Sequence, residues 1–157
     1  MVDYTNYILN ILSSEWDTAN ADPKPLFIHV GESRNHETGE EVILADSSEN
    51  IVAVSTTGRP REPVIGTGRG YQIEASSIVR IEGTTSDGGG WGQISDKREF
   101  DALVGEVERI LTNHRSYPIP GEDVRSMLLT DSDDLTSAYA DRYREDLTVQ
   151  FRATRQL

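Results

Sequence analysis

Cysteine is missing altogether from the 157 residues, which removes disulfides, thiolate metal sites and cysteine nucleophiles from consideration. Lysine is almost missing too: Lys24 and Lys97 are the only two, and the rest of the 15 basic residues are arginines. Long apolar runs are lacking. The longest are of the Val42-Ile43-Leu44-Ala45 and Ile51-Val52-Ala53-Val54 kind, far short of the roughly 18 residues a membrane helix needs. The start Met1-Val2-Asp3-Tyr4 has neither the basic beginning nor the apolar stretch of a secretory signal. The chain is therefore expected neither to span a membrane nor to be exported. Hydrophobic residues make up 36%, below the usual figure of roughly 45–50% that also counts glycine. A chain of this length still buries roughly 70% of its extended surface, so the expectation is one domain over 1–157 with a thin core.

Acid is what the sequence has in excess. Its 27 aspartates and glutamates against 15 basic residues give a formal net charge of −12, the wrong sign for a general binder of nucleic acid or anionic membrane. Arginine's planar, weakly hydrated fork tolerates burial and pairing better than an ammonium does. Acid excess with almost no lysine is also the composition of many proteins from salt-loving organisms, where salt screens the self-repulsion. An ordinary acidic protein is the plainer alternative, and folding measured against salt concentration separates the two.

Hydrophobic spacing lays out the elements. Tyr4, Tyr7, Ile8, Ile11 and Leu12 recur at steps of three and four, which predicts a helix capped by Asp3 and ending by about Thr18. Leu26 to Val30 reads as a first strand, followed by a polar loop from Gly31 to Gly39. Glu41 to Ala45 and Asn50 to Ser55 flank Asp46-Ser47-Ser48-Glu49 and read as a hairpin. Residues 57 to 70 are rich in glycine and proline and interrupt regular structure. Tyr71, Ile73, Ala75, Ser77, Val79 and Ile81 alternate with their neighbours over a strand long enough to bend near Ser76-Ser77. A glycine-rich loop from Gly83 to Gly92 follows. A second helix then begins at Ser95 or Asp96, its stripe of Phe100, Leu103, Val104, Val107, Ile110 and Leu111 set opposite Asp101, Glu106, Glu108 and Arg109. Asp123 to Leu129 fits a short helix or an edge strand, Asp131-Ser132-Asp133-Asp134 a polar break, and Tyr139 to Glu145 either class. Leu147, Val149, Phe151 and Ala153 alternate as a terminal strand. There is no internal repeat.

Chemistry-bearing motifs are weak. Gly66-Thr67-Gly68-Arg69-Gly70 leads into a strand rather than a helix and lacks the Gly-Lys-Ser/Thr of a phosphate loop, so a turn or assembly loop is the better reading. His29, His36 and His114 have no ligand spacing, and His114 at a helix end suits the helix dipole. Asp131, Asp133 and Asp134 lack a calcium loop's glycine and glutamate, for Thr136 and Arg142 stand at those places. No serine lies in Gly-x-Ser-x-Gly, and no pair of carboxylates is singled out. The sequence thus points to no catalytic residue, no cofactor and no metal. Arg59, Arg61 and Arg69 form the one local basic feature: either a solvated loop or a clamp for carboxylates of a neighbouring subunit.

In order, the chain offers an N-terminal helix, a proline-bounded strand, further strands, a long strand, a glycine-rich loop, an amphipathic helix and a closing strand. This order resembles the tail terminator, or tail completion, proteins of long-tailed viruses. The matching stretches are Tyr4 to Trp16, Tyr71 to Ile81, Phe100 to Asn113 and Tyr139 to Phe151, and the glycine-rich insert at Asp87 to Gly92 is longer than the pattern. The resemblance implies an α+β fold with an antiparallel sheet and helices packed against it. It implies a virion protein made in the host cytoplasm, forming a ring, commonly of six subunits, that caps the tail tube and joins the neck. With this composition the host would be a halophilic archaeon. Implied partners are further copies of the chain, the tail tube protein, a neck or head-closure protein, and DNA sliding through an acidic lumen that repels phosphate. Assembly-interface candidates are Arg59, Arg61, Arg69, Tyr71 and Arg152. Two alternatives stay open: a head-closure or neck connector, and a small acidic ligand-binding or enzymatic domain of a halophile.

Overall fold

The computed structural model describes residues 3–22, 24–29, 50–57, 69–84, 97–116, 118–119, 124–134 and 142–156. The first helix, α1, runs Tyr4–Glu15. It starts where the Asp3 carboxylate accepts the Asn6 backbone N–H at 3.0 Å and the Asn6 amide at 2.9 Å, satisfying a donor that the first turn leaves open. The second helix, α2, runs Lys97–Asn113. Five strands follow in chain order: β1 Leu26–His29, β2 Ile51–Thr57, β3 Arg69–Thr84, β4 Ser126–Asp134 and β5 Arg142–Gln156. They form one sheet ordered β1-β2-β3-β5-β4. The fold is α+β.

β3 and β5, the two longest strands, pair antiparallel along their whole length, from Arg69 opposite Gln156 to Thr84 opposite Arg142. Ser76 and Ser77, where a bend was expected, pair in regular register with Gln150 and Val149; the irregularity is a register shift between Ile73 and Ala75, where an extra residue increases the local twist. β2–β3 and β4–β5 are antiparallel as well. β1 and β2 are parallel, so the sheet departs from wholly antiparallel pairing at one edge. Parallel neighbours need a crossover of a dozen or more residues, and residues 30–50 supply that length. Of the expected 41–55 hairpin, the second arm is β2, while 41–49 lie outside the described residues.

Both helices lie on one face of the sheet. α1 packs over β1, β2 and β3 and α2 over β4 and β5. The apolar stripes of Ile8 and Leu12 on α1 and of Phe100, Leu103, Val107 and Ile110 on α2 meet Val52, Val54, Val79, Ile81, Leu147, Val149 and Phe151, all essentially inaccessible to solvent. Each large side chain buried in this way contributes about 1.5–3 kcal/mol. Aromatic contacts fasten the layers: Tyr4 lies 4.5 Å from Phe151, and Phe100 stacks on Tyr143 at 5.4 Å between centroids. On the opposite face Ile51 and Ala53 are buried beside Ile28.

The last third settles one alternative and corrects one expectation. Of the stretch Asp123 to Leu129, Ser126 to Leu129 is edge strand rather than helix, Asp123 lying outside the described residues, and Asp131-Ser132-Asp133-Asp134 is no polar break but the second half of β4, paired with Thr148 to Glu145 of β5. A register shift between Leu129 and Asp131 carries the strand across the change from apolar to acidic residues. From Arg142 onward the stretch that fitted either class is strand.

Candidate assembly surface and polar clusters

Of the five interface candidates, the β3–β5 register brings three together. Arg69 and Tyr71 open β3 opposite Gln156 and Thr154, and Arg152 stands opposite Ile73, so the positions of all three fall on one face of the same two-stranded segment. Arg59 and Arg61 lie outside the described residues. β2 pairs with β3 only from Ser76 to Glu82, and β4 reaches along β5 only to Arg152. Residues Arg69–Gln72 with Ala153–Gln156 therefore form a two-stranded arm, with Ile73 and Arg152 at its root beside Ser126 of β4. The arm and its root hold Arg69, Arg152 and Arg155. The Arg152 carbonyl accepts the Arg125 backbone N–H at 2.8 Å, which places a further arginine position at its root. The Arg152 guanidinium donates through Nη2 to Gln150 at 2.8 Å, while its buried Nε has no hydrogen-bond partner.

The other end of β5 is acidic. Asp133 stands opposite Asp146 and Asp134 opposite Glu145, like charges in adjacent positions that repel unless cations intervene. Cations do intervene on both faces. On the helix face Lys97 reaches Asp134 at 2.8 Å and Asp101 at 3.6 Å, its ammonium 5.2 Å from the Phe100 ring centre and 5.7 Å from that of Tyr143. On the opposite face Asp146 is held by Arg80 at 3.3 Å and by Arg144 at 3.2 Å, and Arg144 lies 3.8 Å from the buried Glu82. Glu145 is less well served. Burial, then the charges of Asp134 and Glu108, push its carboxyl above the usual range.

From Leu129 to Asp134 all six positions of β4 are exposed. The outer side of its first residues is occupied, since Met127 donates its N–H to the Arg115 carbonyl at 2.9 Å and Ser116 bridges Ser126. Beyond Leu129 no strand among the described residues covers that side. Leu26 on β1 and Leu129 on β4, at the two outer strands, are the exposed large hydrophobic residues among those described.

A third cluster was misassigned by helical periodicity. Glu106, expected on the solvated face of α2, is 2% exposed. It accepts the Asp17 N–H at 2.7 Å, the Asn20 amide at 3.0 Å, and Arg109 through Nε at 2.6 Å and Nη2 at 2.8 Å. Arg109 also donates to the Glu15 carbonyl at 3.0 Å. One carboxylate thus ties the turn after α1 to α2. The Arg109 guanidinium, helped by the Asp17 and Asn20 donors and opposed by burial, holds it below the usual carboxylate range. The Glu106–Arg109 spacing was readable as a helix-surface pair, whereas donors some ninety residues earlier in the chain leave no local signal.

The two described histidines stay apart, His36 lying outside the described residues. His29 is exposed on β1, and His114, just past α2, contacts Glu15 rather than capping the helix through charge alone. Tyr7 lies edge-on to His114 at 6.3 Å; burial and then Glu15 push its phenol up to about 12, so it remains protonated near neutrality. Among the described residues no three acidic, histidine or cysteine side chains converge to hold a metal ion. No known protein-family model matches the chain, and no curated protein matches it in sequence.

Proposed function

We propose that this chain is a structural virion protein whose copies close into a ring at the end of a viral tail tube, where the tube meets the neck. The observation that carries the reading is the uncovered second half of β4, six consecutive exposed positions on a sheet edge. An open edge in a lone molecule invites uncontrolled pairing, which proteins restrain with charge. A closed ring of identical copies removes it by giving every edge a partner. The net charge of −12 supports the same role, because a lumen bounded by carboxylates lets DNA pass without holding it. The role asks for no catalytic residue, cofactor or metal.

Purification across a range of salt concentrations, followed by sedimentation and negative-stain microscopy, tests the proposal. Closed rings with a central opening, and antibody labelling at the head–tail junction of particles, are expected. A stable monomer at every salt concentration, or label elsewhere in the infected cell, overturns it. Label on the head side of the neck favours a connector.

A further inference from the structure

We infer that neighbouring copies join head to tail, the basic arm of one, led by the free side of β3 at Arg69–Ile73, adding as a strand to the acidic outer edge of β4 at Leu129–Asp134 in the next. This rests on the ring reading and adds to it the two surfaces that meet.

Three independent features of the fold converge on this pairing. The first is availability. β4 is exposed at each of its last six positions, and β2 leaves β3 at Ser76, so that among the described residues no strand pairs with the outer side of Arg69–Ile73. The two open stretches are of similar length, as strand addition through main-chain hydrogen bonds requires. The second is charge. The acceptor edge carries Asp131 and Asp133 beside Asp134, which Lys97 already holds, and the arm with its root carries Arg69, Arg152 and Arg155. Complementary charge fixes partner and register more than it sets affinity, and arginine is the cation best suited to grip a carboxylate in two-pronged fashion. The third is placement. The acidic half of β4 pairs with β5 at Glu145 to Thr148, whereas the arm is rooted at Arg152. The surfaces therefore sit at opposite ends of β5 and on opposite lateral sides of the sheet. One molecule cannot join its own two surfaces, and two copies cannot satisfy both reciprocally by a single shared patch. The contact is heterologous, the kind that generates rings when its rotation closes.

Two double variants test it. Asp131→Arg with Asp133→Arg blocks the edge and leaves the arm intact; Arg69→Glu with Arg155→Glu blocks the arm and leaves the edge intact. Each alone is expected to sediment as a monomer with the circular dichroism of the parent, and an equimolar mixture is expected to stop at a one-to-one dimer, since only one productive contact remains. If wild-type rings form and both variants form them equally well, this contact is wrong and the ring reading stands. If the wild type never leaves the monomer, both fall. Should a double variant fail to fold, single substitutions carry the test, because the chain has no cysteine of its own. Asp131→Cys and Arg69→Cys chains, mixed and oxidised, are expected to cross-link to each other several-fold more than either does with itself. Equal cross-linking in all three combinations overturns the inference.

Discussion

Glu106 and Glu145 are both carboxylates brought out of water beside α2, and their proton affinities shift in opposite directions. Glu106 sits among donors, an arginine fork, an amide and a backbone N–H, and its proton leaves more easily than usual. Glu145 sits among other acids, with Lys97 as the nearby cation, and its proton leaves less easily than usual. In a chain so rich in acid, what a carboxylate does is decided by the donors the fold brings to it rather than by its residue type. The first region is built as a structural tie between α1 and α2. The second sets like charges side by side near the sheet edge, relieved in part by Lys97.

The sharpest way to break the contrast is Glu106→Ala, which leaves the part-buried donors of Asp17, Asn20 and Arg109 without their acceptor. A loss of about 2–4 kcal/mol is expected in the urea midpoint, with the unfolding slope unchanged. Acid titration sharpens it next. A lowered carboxylate stabilises above its unfolded-state pKa, and that stability is lost as pH falls through the folded one. The difference between Glu106→Gln and the parent should therefore be full at neutral pH and vanish on acidification. Glu145→Gln has the opposite sign. A raised carboxylate costs stability as pH climbs from its unfolded pKa through its folded one, so this variant should be more stable than the parent at neutral pH by less than about 1 kcal/mol, given its half-exposed position. That gain too should disappear in acid. The smallest effect is Lys97→Gln, expected to cost about 0.5 kcal/mol at low salt and to push the Glu145 midpoint still higher, with the stability loss shrinking as salt is added. A Glu145→Gln chain no more stable than the parent would mean that the acidic end is better compensated than its geometry indicates.

Elements whose signal is local were legible in the sequence. The Phe100-to-Leu111 stripe, the Asp3 cap and the alternation of Ala75 to Ile81 on β3 and of Leu147 to Phe151 on β5 each follow from spacing within one stretch and stand where spacing puts them, whereas the shift between Ile73 and Ala75 moves the positions of Tyr71 and Ile73 to the other face. Asp131 to Asp134 misled, because three aspartates and a serine read as a turn when the strand that pairs with them lies a dozen or more residues on. Glu106 misled for a similar reason, its donors coming from the far side of the fold. The parallel β1–β2 pair depends on which strand lies next to which, a property no single segment carries. The candidate surface was half visible. Arg69, Tyr71 and Arg152 could be named from composition and texture, but that they come together follows from a register linking positions 69 and 156, and the acidic half of β4 was taken for a polar break.

The order in which the strands appear has a consequence for synthesis. β4 pairs within the sheet only with β5, and β3 keeps its first seven residues in the sheet only through β5. On a ribosome, α1, β1 and β2 can meet half of β3 and α2 can dock on α1 through Glu106, while β4 must wait until residues 142–156 have emerged. The aspartates of β4 then stand exposed, a repulsive patch that keeps neighbouring unfinished chains apart until β5 enters between β3 and β4.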